Sequence, residues 1–452
     1  MVKDLTKGKP LGLILSFSVP IILGNLVQQA YSWADTMMVG KILGNGALSA
    51  VGSTGAITFL IIGFLIGIAE GSCLMVSRYF GAGDKTTMRR CVGNIIYVCL
   101  AITLLLTVFA LIFNRKILTV MNTPADIIEG AADYLGVIYI GMAASMLYNV
   151  CAGVMRALGD SRSPLYFLIL SAAMNIALNY LFMVLIPMGI KGAAVATIIS
   201  QLFSGIASVV YIRFKLEDLR LSKDDLRPRG AFIGKICALS LPMAFQYSIT
   251  AIGAIFLQSA INGIGSEAVT AFTVGDKVWN FGWSAINCVG VALAGFCSQN
   301  IGAAKIRRVR QGVAYITFFC LGMSVVLTAL FMVFGVQLSS FFLSEKTSDI
   351  LEYLRLYYLI HSPFMAVLAM IGVYRNAIMG MGYSLQGMLA GFLELIGRTV
   401  ISVALVGVIG FAACCLASPA AWVMADVLLI PMYFHIIRKI GREHPEWLLE
   451  DS

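Results

Sequence analysis

The stretch SVPIILGNLVQQAYSWADTMMVGKILGNGALSAVG, residues 18–52, is echoed by SLPMAFQYSITAIGAIFLQSAINGIGSEAVTAFTVG, residues 240–275. Two further segments repeat in the same order: SRYFGAGDKTTMRR (77–90) with SQNIGAAKIRRVR (298–310), and MRALGDS (155–161) with IMGMGYS (378–384). The chain is therefore a duplicated unit. Because both copies are strongly apolar, the pattern predicts a membrane bundle of two related halves, and the pocket between them is the expected place for a transport site.

The composition is that of a membrane protein. Hydrophobic residues make up 59% of the 452 residues, charged residues make up 12%, and the mean hydropathy is +0.89; soluble domains carry about 25% charged residues. Windows of roughly 20 apolar residues, each long enough to cross a bilayer, recur along almost the whole chain. They predict an all-α membrane protein with twelve transmembrane helices, at about 13–38, 54–75, 94–113, 135–157, 165–185, 193–213, 236–261, 270–296, 312–334, 356–378, 388–408 and 412–436.

These twelve helices divide into two six-helix lobes. We predict an N-terminal lobe at residues 1–214, a cytoplasmic linker at 215–235 and a C-terminal lobe at 236–452. Cytoplasmic loops retain Lys and Arg, and 24 of the 32 fall on the side of the N-terminus, which places both termini in the cytoplasm. Because each repeat has an even number of spans, the copies insert the same way up, related by a pseudo-twofold axis along the membrane normal.

Several functions are disfavoured by the sequence. The net charge of +9 is explained by the inner loops, so nucleic-acid binding is not expected. The segment GAGDKTT at Gly81 places an aspartate where a nucleotide-binding loop needs contiguous G-K-[ST]. The three histidines form no catalytic pair, and no cofactor motif is present. We therefore expect a secondary transporter driven by an ion gradient, not an enzyme.

Neither the cysteines nor the N-terminal residues predict a function of their own. Ten cysteines are scattered without C-x-x-C spacing and are interpreted as apolar packing residues, not as metal ligands or a disulfide framework. Three lysines precede the first apolar run, but no small-residue cleavage site follows it. We interpret that run as a retained first helix of a multi-pass protein of the cytoplasmic membrane.

Polar residues inside the first-lobe spans are the candidates for ion coupling, because a carboxylate at the bilayer centre costs about 2.5–3.5 kcal/mol even on mild insertion scales. Asp35 lies in the first helix, either as a cation or proton site or as a carboxylate hydrated near the outer interface. Asn175 and Asn179 are four residues apart on the fifth helix and share a face, and Thr197 on the sixth could join them. Hydrogen bonding between packed helices is the alternative role for these three.

In the second half, Glu394 and Arg398 are also four residues apart, which predicts a pair within one helix that either fixes that helix or lines the substrate pocket. Asp426, in the last helix, has no obvious partner in the sequence. Its role is either structural or functional. Pro20 and Pro242 occupy matching places in the two copies and permit kinks that serve either bending or shape.

Four motifs carry a resemblance to a known family: ADTMMVGKILG around Asp35, SRYFGAGD, MRALGDSRSP and GFLELIGR. In their order, spacing and duplication, over nearly the full length, they resemble the bacterial multidrug and toxic compound extrusion (MATE) family. The resemblance implies two six-helix lobes around a central cavity, alternating access, and export of cationic or amphipathic drugs in exchange for Na⁺ or H⁺. It also implies a first-lobe cation site, whose positions here are Asp35, Asn175, Asn179 and Thr197.

The chain departs from the family pattern at several positions. Asn179 replaces a second carboxylate, so the predicted site holds one negative charge; it can bind a monovalent hard cation, or Asp35 can take up a proton. Members of the NorM type carry an acid where this chain has Thr250, and another in helix ten, where residues 363–374 have none. Ion coupling through the first lobe is favoured, and both Na⁺ and H⁺ are kept as candidates for the coupling ion. The candidates for lining the substrate cavity are Gln28, Gln246, Thr250, Glu394 and Arg398.

Two other functional classes are compatible with a duplicated membrane protein. A flippase of lipid-linked saccharides shares the duplicated lobes, but it is expected to have a strongly cationic cavity, whereas Arg398 is the one obvious intramembrane base. A membrane-embedded enzyme or a receptor-like scaffold is the third alternative. Drug export is favoured, with drug-like small molecules and the lipid bilayer as partners, no cofactor beyond the coupling ion, and a monomeric state.

Overall fold

The computed structural model describes residues 3–121, 123–343 and 347–448, and within these ranges the chain forms fifteen α-helices. The first eight are α1 (Pro10–Leu43), α2 (Asn45–Ser53), α3 (Gly55–Gly81), α4 (Lys85–Val120), α5 (Ile128–Ile140), α6 (Met142–Ala157), α7 (Arg162–Tyr180) and α8 (Ile190–Lys215). The other seven are α9 (Gly230–Asn262), α10 (Ser266–Gly302), α11 (Ile306–Ser340), α12 (Ser348–His361), α13 (Met365–Gly380), α14 (Ser384–Ile409) and α15 (Phe411–Glu443).

Eleven helical stretches within the described ranges are long and apolar enough to cross a membrane. The pair α5 and α6, bent by 47° at their junction, makes a twelfth span when the two are taken together. The stretch 348–380 joins α12 and α13 through a short 3₁₀ turn, and 162–185 joins α7 to a π-helical turn. The predicted all-α architecture of twelve spans is confirmed.

The chain forms two compact units. The first unit comprises the described residues up to Asp4 together with 19–244, and the second comprises Leu5–Ser18 together with the described residues from Phe245 onward. Compared with the predicted lobes, the start of α1 is counted in the second unit, and the start of α9 in the first. Two of the three unit boundaries, after Ser18 and after Ala244, fall within two residues of Pro20 and Pro242, each of which lies inside a helix.

Glycines explain why the first part of α9 belongs to the first unit. A β-carbon on Gly67 of α3 would lie 2.5 Å from the Cα of Ala244, and one on Gly71 would lie 2.6 Å from the Cα of Ser240. The two helix backbones therefore pack directly against each other, as small residues allow in membrane helices.

The segment before α1 is held by polar side chains of the second unit. The amide of Leu5 donates to Gln299 Oε1 at 3.0 Å, and Asn300 Nδ2 donates to the Leu5 carbonyl at 3.2 Å. Arg308 Nη2 donates to the carbonyl of Gly8 at 2.9 Å. Leu5 is fully buried. These bonds satisfy backbone groups that would otherwise lack partners and attach residues 5–8 to α10 and α11.

The nucleotide-loop look-alike at Gly81 is a helix boundary. Gly83 adopts φ +72° between α3 and α4, and Asp84 caps α4 by accepting a hydrogen bond from the Thr87 amide at 2.9 Å. Hydrogen bonds from Thr87 lower the pKa of the exposed Asp84 carboxyl. The GAGD motif therefore ends one helix and starts the next.

The duplication seen in the sequence is also present in the backbone. Gly83 and its counterpart Ala304 both have positive φ, +72° and +62°. The same three turn hydrogen bonds surround them, for example from Asp84 to Tyr79 and from Lys305 to Asn300. Left-handed glycines recur in the same way at three other matched pairs of positions: 44 and 265, 159 and 382, and 189 and 410.

Ala304→Gly is expected to raise the free energy of unfolding by about 0.5–1 kcal/mol. Left-handed backbone costs an L-residue about 1–2 kcal/mol, and the greater unfolded-state entropy of glycine offsets part of that gain. The counterpart change, Gly83→Ala, is expected to lower stability by about 1 kcal/mol, for conformational reasons alone, because nothing lies within 4 Å of its β-carbon position. Thermal unfolding in detergent measures both changes, and effects of the same sign would contradict a shared turn geometry.

Candidate functional site

Three helices of the first unit bring the four predicted coupling residues together. Asn179 Nδ2 donates to Asp35 Oδ1 at 2.6 Å and to Asn175 Oδ1 at 2.9 Å. Asn175 Nδ2 in turn donates to Thr197 Oγ1 at 3.3 Å, and that hydroxyl donates to the Ala193 carbonyl at 3.1 Å. A continuous hydrogen-bonded chain thus runs from α1 through α7 to α8. We call these four side chains, Asp35, Asn175, Asn179 and Thr197, the coupling cluster.

The coupling cluster is shielded from solvent. Asp35 is 8% exposed, Asn175 is 1% exposed and Asn179 is fully buried. Asn179 Oδ1 has no hydrogen-bond partner among the described residues. The cluster therefore combines a carboxylate, amide carbonyls and a hydroxyl, which are the hard oxygen ligands that a monovalent cation accepts. The same carboxylate could instead carry a proton.

Two tyrosines and a glutamine adjoin the coupling cluster. Tyr31 precedes Asp35 by one helical turn and interacts with Thr197 and Gln201 of α8. Tyr134 of α5 lies within electrostatic range of Asp35 and Tyr31. Sequence reasoning did not select these residues, although the four-residue spacing of Tyr31 and Asp35 could have indicated that they share a face.

The helix that carries both asparagines ends in an unusual turn. Leu181–Leu185 form a π-helical segment directly after α7, with the Ile186 amide donating to the Leu181 carbonyl at 2.8 Å. Such wide turns are rare and occur frequently at functional sites. Here the π-helical turn begins two residues after Asn179.

The second unit contains a different ionic arrangement from the one predicted. Glu394 of α14 forms its ion pair with Arg375 of α13, so the predicted pairing of Glu394 with Arg398 is wrong. Arg375 also attracts Asp426 of α15 electrostatically, which gives that acid the partner the sequence did not reveal. Four-residue spacing places Glu394 and Arg398 on one helix face, but the neighbouring helix supplies the counter-charge.

Arg398 has a different neighbour. It attracts Asp276 of α10 electrostatically, and Asp276 Oδ2 accepts a hydrogen bond from Asn280 at 2.8 Å. Sequence reasoning missed both Asp276 and Arg375, although Asp276 lies inside the predicted eighth span and Arg375 inside the tenth.

The remaining cavity candidates lie in different units. Gln246 and Thr250 are on α9 in the second unit, where Thr250 donates to the Gln246 carbonyl at 3.0 Å. Gln28 is an exposed residue of α1 in the first unit. Within the described residues, no group of three or more His, Cys, Asp or Glu side chains is placed to hold a metal ion.

A chain of twelve apolar helical spans that buries charged side chains within the membrane has the architecture of a multi-pass membrane transporter. Residues 20–181 and 242–420 match the family described as MatE. The two matched segments cover most of the chain and correspond to its two copies. The protein belongs to the MatE family, and the resemblance drawn from its motifs is confirmed.

Relatives and solved structures agree with this assignment. The probable multidrug resistance protein YoeA of Bacillus subtilis (strain 168) is 31% identical over 337 residues, covering 73% of this chain and 73% of that protein. The fold matches an outward-facing multidrug resistance MATE transporter with a TM-score of 0.90 at 20% identity, over 97% of this chain and 98% of the other. A MOP superfamily transporter from Pyrococcus furiosus, described as having a binding pocket of reversed polarity, matches with a TM-score of 0.89 at 20% identity over 97% and 98% of the two chains. These structural likenesses establish the shared fold.

Proposed function

We propose that the protein exports drug-like amphipathic or cationic molecules in exchange for Na⁺ or H⁺ by alternating access. The observation that carries the proposal is the buried chain of hydrogen bonds from Asp35 through Asn179 and Asn175 to Thr197. Membership of the MatE family and the similarity to a probable multidrug resistance protein support drug-like molecules as the substrate class.

The charge of the coupling cluster suggests how an ion could drive export. With one carboxylate, the cluster is neutral when it holds Na⁺ or H⁺ and carries one negative charge when it holds neither. A buried, unneutralised carboxylate is costly in a membrane protein, so ion release favours a state in which Asp35 is hydrated. An ion and a substrate that stabilise different states are thereby coupled, since each can shift the equilibrium by its differential affinity.

Efflux from vesicles tests this function directly. Purified protein is reconstituted, a fluorescent cation is added, and an inward or outward gradient of Na⁺ or of H⁺ is imposed separately. We expect one of the two gradients to drive accumulation of the dye against its concentration gradient. Dye movement that ignores both gradients would refute the exchange mechanism.

Asn179→Asp is expected to identify the coupling ion. If the ion is Na⁺, a second carboxylate adds Coulomb attraction in a poorly screened site, so half-maximal transport should need less Na⁺. If the ion is H⁺, the same change should shift the pH profile of transport, and transport should remain independent of the Na⁺ concentration. Sodium titration at fixed pH, followed by pH titration at fixed Na⁺, separates the two. A variant that matches wild type in both titrations would remove Asn179 from the site.

We also propose that the protein resides in the cytoplasmic membrane as a monomer with both termini in the cytoplasm. The excess of Lys and Arg on the side of the N-terminus supports this orientation. Reporter fusions at each terminus, active on only one side of the membrane, test it.

One observation favours the flippase alternative more than the sequence did. Two arginines of the second unit lie within membrane-spanning helices, the buried Arg398 and Arg375, which is 12% exposed, where the sequence indicated one. Arg375, however, is neutralised by Glu394. Drug export remains the better supported function, and transfer of a labelled lipid-linked saccharide between bilayer leaflets would distinguish the flippase.

A further inference from the structure

Arg398 lies near the middle of α14, a membrane-spanning helix, and is 9% exposed. Its Nε is buried and has no hydrogen-bond partner among the described residues. A cation at the bilayer centre costs about 2.5–3.5 kcal/mol on insertion scales, and an unmet buried donor adds to that cost. The position therefore requires a partner of opposite charge.

Within the described residues, no acid of the same unit forms a direct ion pair with Arg398. Glu394, one turn away on the same helix, is held by Arg375, which also attracts Asp426. Asp276 is the acid that attracts Arg398 electrostatically, and its Oδ2 also accepts a hydrogen bond from Asn280. Arg375 has a carboxylate in a direct ion pair, whereas Arg398 has none among the described residues.

The helix facing Arg398 leaves room for its guanidinium. A β-carbon on Gly253 of α9 would lie 3.3 Å from Arg398 Nη1. Gln246, Thr250 and Gly253 share one face of α9 by their spacing, and Gln246 lies against Gly391 of α14. The α9 surface beside Arg398 is therefore made of glycine and neutral polar residues.

We propose that Arg398 binds the acidic group, a carboxylate or a phosphate, of an amphipathic substrate. The proposal deepens the transport function given above and rests on it, because it names a chemical feature of the transported molecule. A guanidinium presents planar paired donors that match the two oxygens of a carboxylate or phosphate. Asp276 opposes further negative charge nearby, so a singly charged acidic group is favoured over a dianion.

Binding without any ion gradient tests the site. Purified full-length protein in nanodiscs is titrated with a fluorescent amphiphile that carries a carboxylate and, separately, with its neutral methyl ester. Wild type is expected to bind the acid about tenfold more tightly than the ester. Arg398→Gln should remove this preference and leave ester affinity unchanged, whereas Arg398→Lys should keep part of it.

Two milder variants keep the proposal testable if Arg398→Gln does not fold. Asp276→Asn removes the acid that attracts Arg398 and should tighten binding of the acidic probe several-fold, with no change for the ester. Gly253→Ala crowds Arg398 Nη1 and should weaken binding of the acid alone. Three results would overturn the proposal. Wild type would bind acid and ester equally, folded Arg398→Gln would keep the preference for the acid, or neither milder variant would change the affinity for the acid.

The acidic group could belong to a soluble molecule or to a lipid headgroup. A second pair of probes, a polyisoprenyl phosphate and the matching alcohol incorporated in the nanodisc, separates these sources. In either pair of probes, tighter binding of the acid that is lost in Arg398→Gln supports the site. If only the soluble pair shows it, the ligand is a soluble molecule; if only the polyisoprenyl pair shows it, the ligand is a lipid headgroup. Asp35→Asn should leave the preference intact, so failure of ion-driven export and failure of anion binding are distinguishable.

Discussion

Asp35→Asn is expected to abolish ion-driven efflux while the protein remains folded and inserted. The amide matches the carboxylate in shape but can neither carry the negative charge that attracts Na⁺ nor release a proton. Because Asp35 supplies the carboxylate of the coupling cluster, the variant lacks the charge difference between ion-bound and ion-free states. Dye accumulation in vesicles should fall to the level of protein-free vesicles, with thermal unfolding close to wild type.

The matched control is Asp133→Asn, which changes an acid on α5 of the same unit. Asp133 is 51% exposed and pairs with the half-exposed Lys191 at 3.1 Å. Exposed ion pairs contribute little, so this variant should transport normally. Normal gradient-driven efflux by Asp35→Asn would place coupling elsewhere and make the acids of the second unit, Glu394, Asp426 and Asp276, the next candidates.

Breaking the Arg375 and Glu394 pair is expected to have the largest effect on stability. Removing one partner of a buried pair leaves an uncompensated charge and costs about 3–5 kcal/mol. Arg375→Gln should be the more damaging change, because it strands Glu394 with Asp426 also nearby. Glu394→Gln is milder, since Arg375 can still be neutralised by Asp426. Measuring the free energy of unfolding in detergent for wild type, both single variants and the double variant gives a double-mutant cycle.

The double variant should recover much of the stability lost in Arg375→Gln, although Asp426 then has no arginine beside it. The exposed pair Arg115 and Glu129, 73% and 66% exposed, provides a control cycle with little expected effect. Equal losses in Arg375→Gln and Glu394→Gln would argue against a role for Asp426. Wild-type stability in both single variants would show that the pair is solvated.

The coupling cluster could be predicted from sequence because its members follow from local rules. Four-residue spacing places Asn175 and Asn179 on one face of a helix, and polar residues in apolar spans are few enough to be noticed. The family resemblance then linked Asp35 and Thr197 to that face. The hydrogen bonds between these side chains agree with the grouping, and its role in coupling remains a prediction.

The ionic partners in the second unit could not be predicted in the same way. Spacing of four residues suggested Arg398 as the partner of Glu394, but the carboxylate pairs with Arg375 on a different helix. Asp276 and Arg375 sit inside apolar windows as single charges, and nothing nearby in the sequence indicates what they face. Which side chains meet across helices depends on the rotation and depth of each helix in the bundle.

The sequence by itself determined the duplication, the twelve spans and the turns that separate them. These depend on hydropathy over roughly 20 residues and on short motifs such as the GAGD helix boundary, whose backbone geometry recurs in the second copy. Only the tertiary structure decided that the start of α1 belongs to the second unit and the start of α9 to the first, and that Arg375 neutralises Glu394. The physical reason is that hydropathy and turns act between residues near in sequence, whereas close packing at Gly67 and ion pairing at Glu394 join helices far apart in the chain.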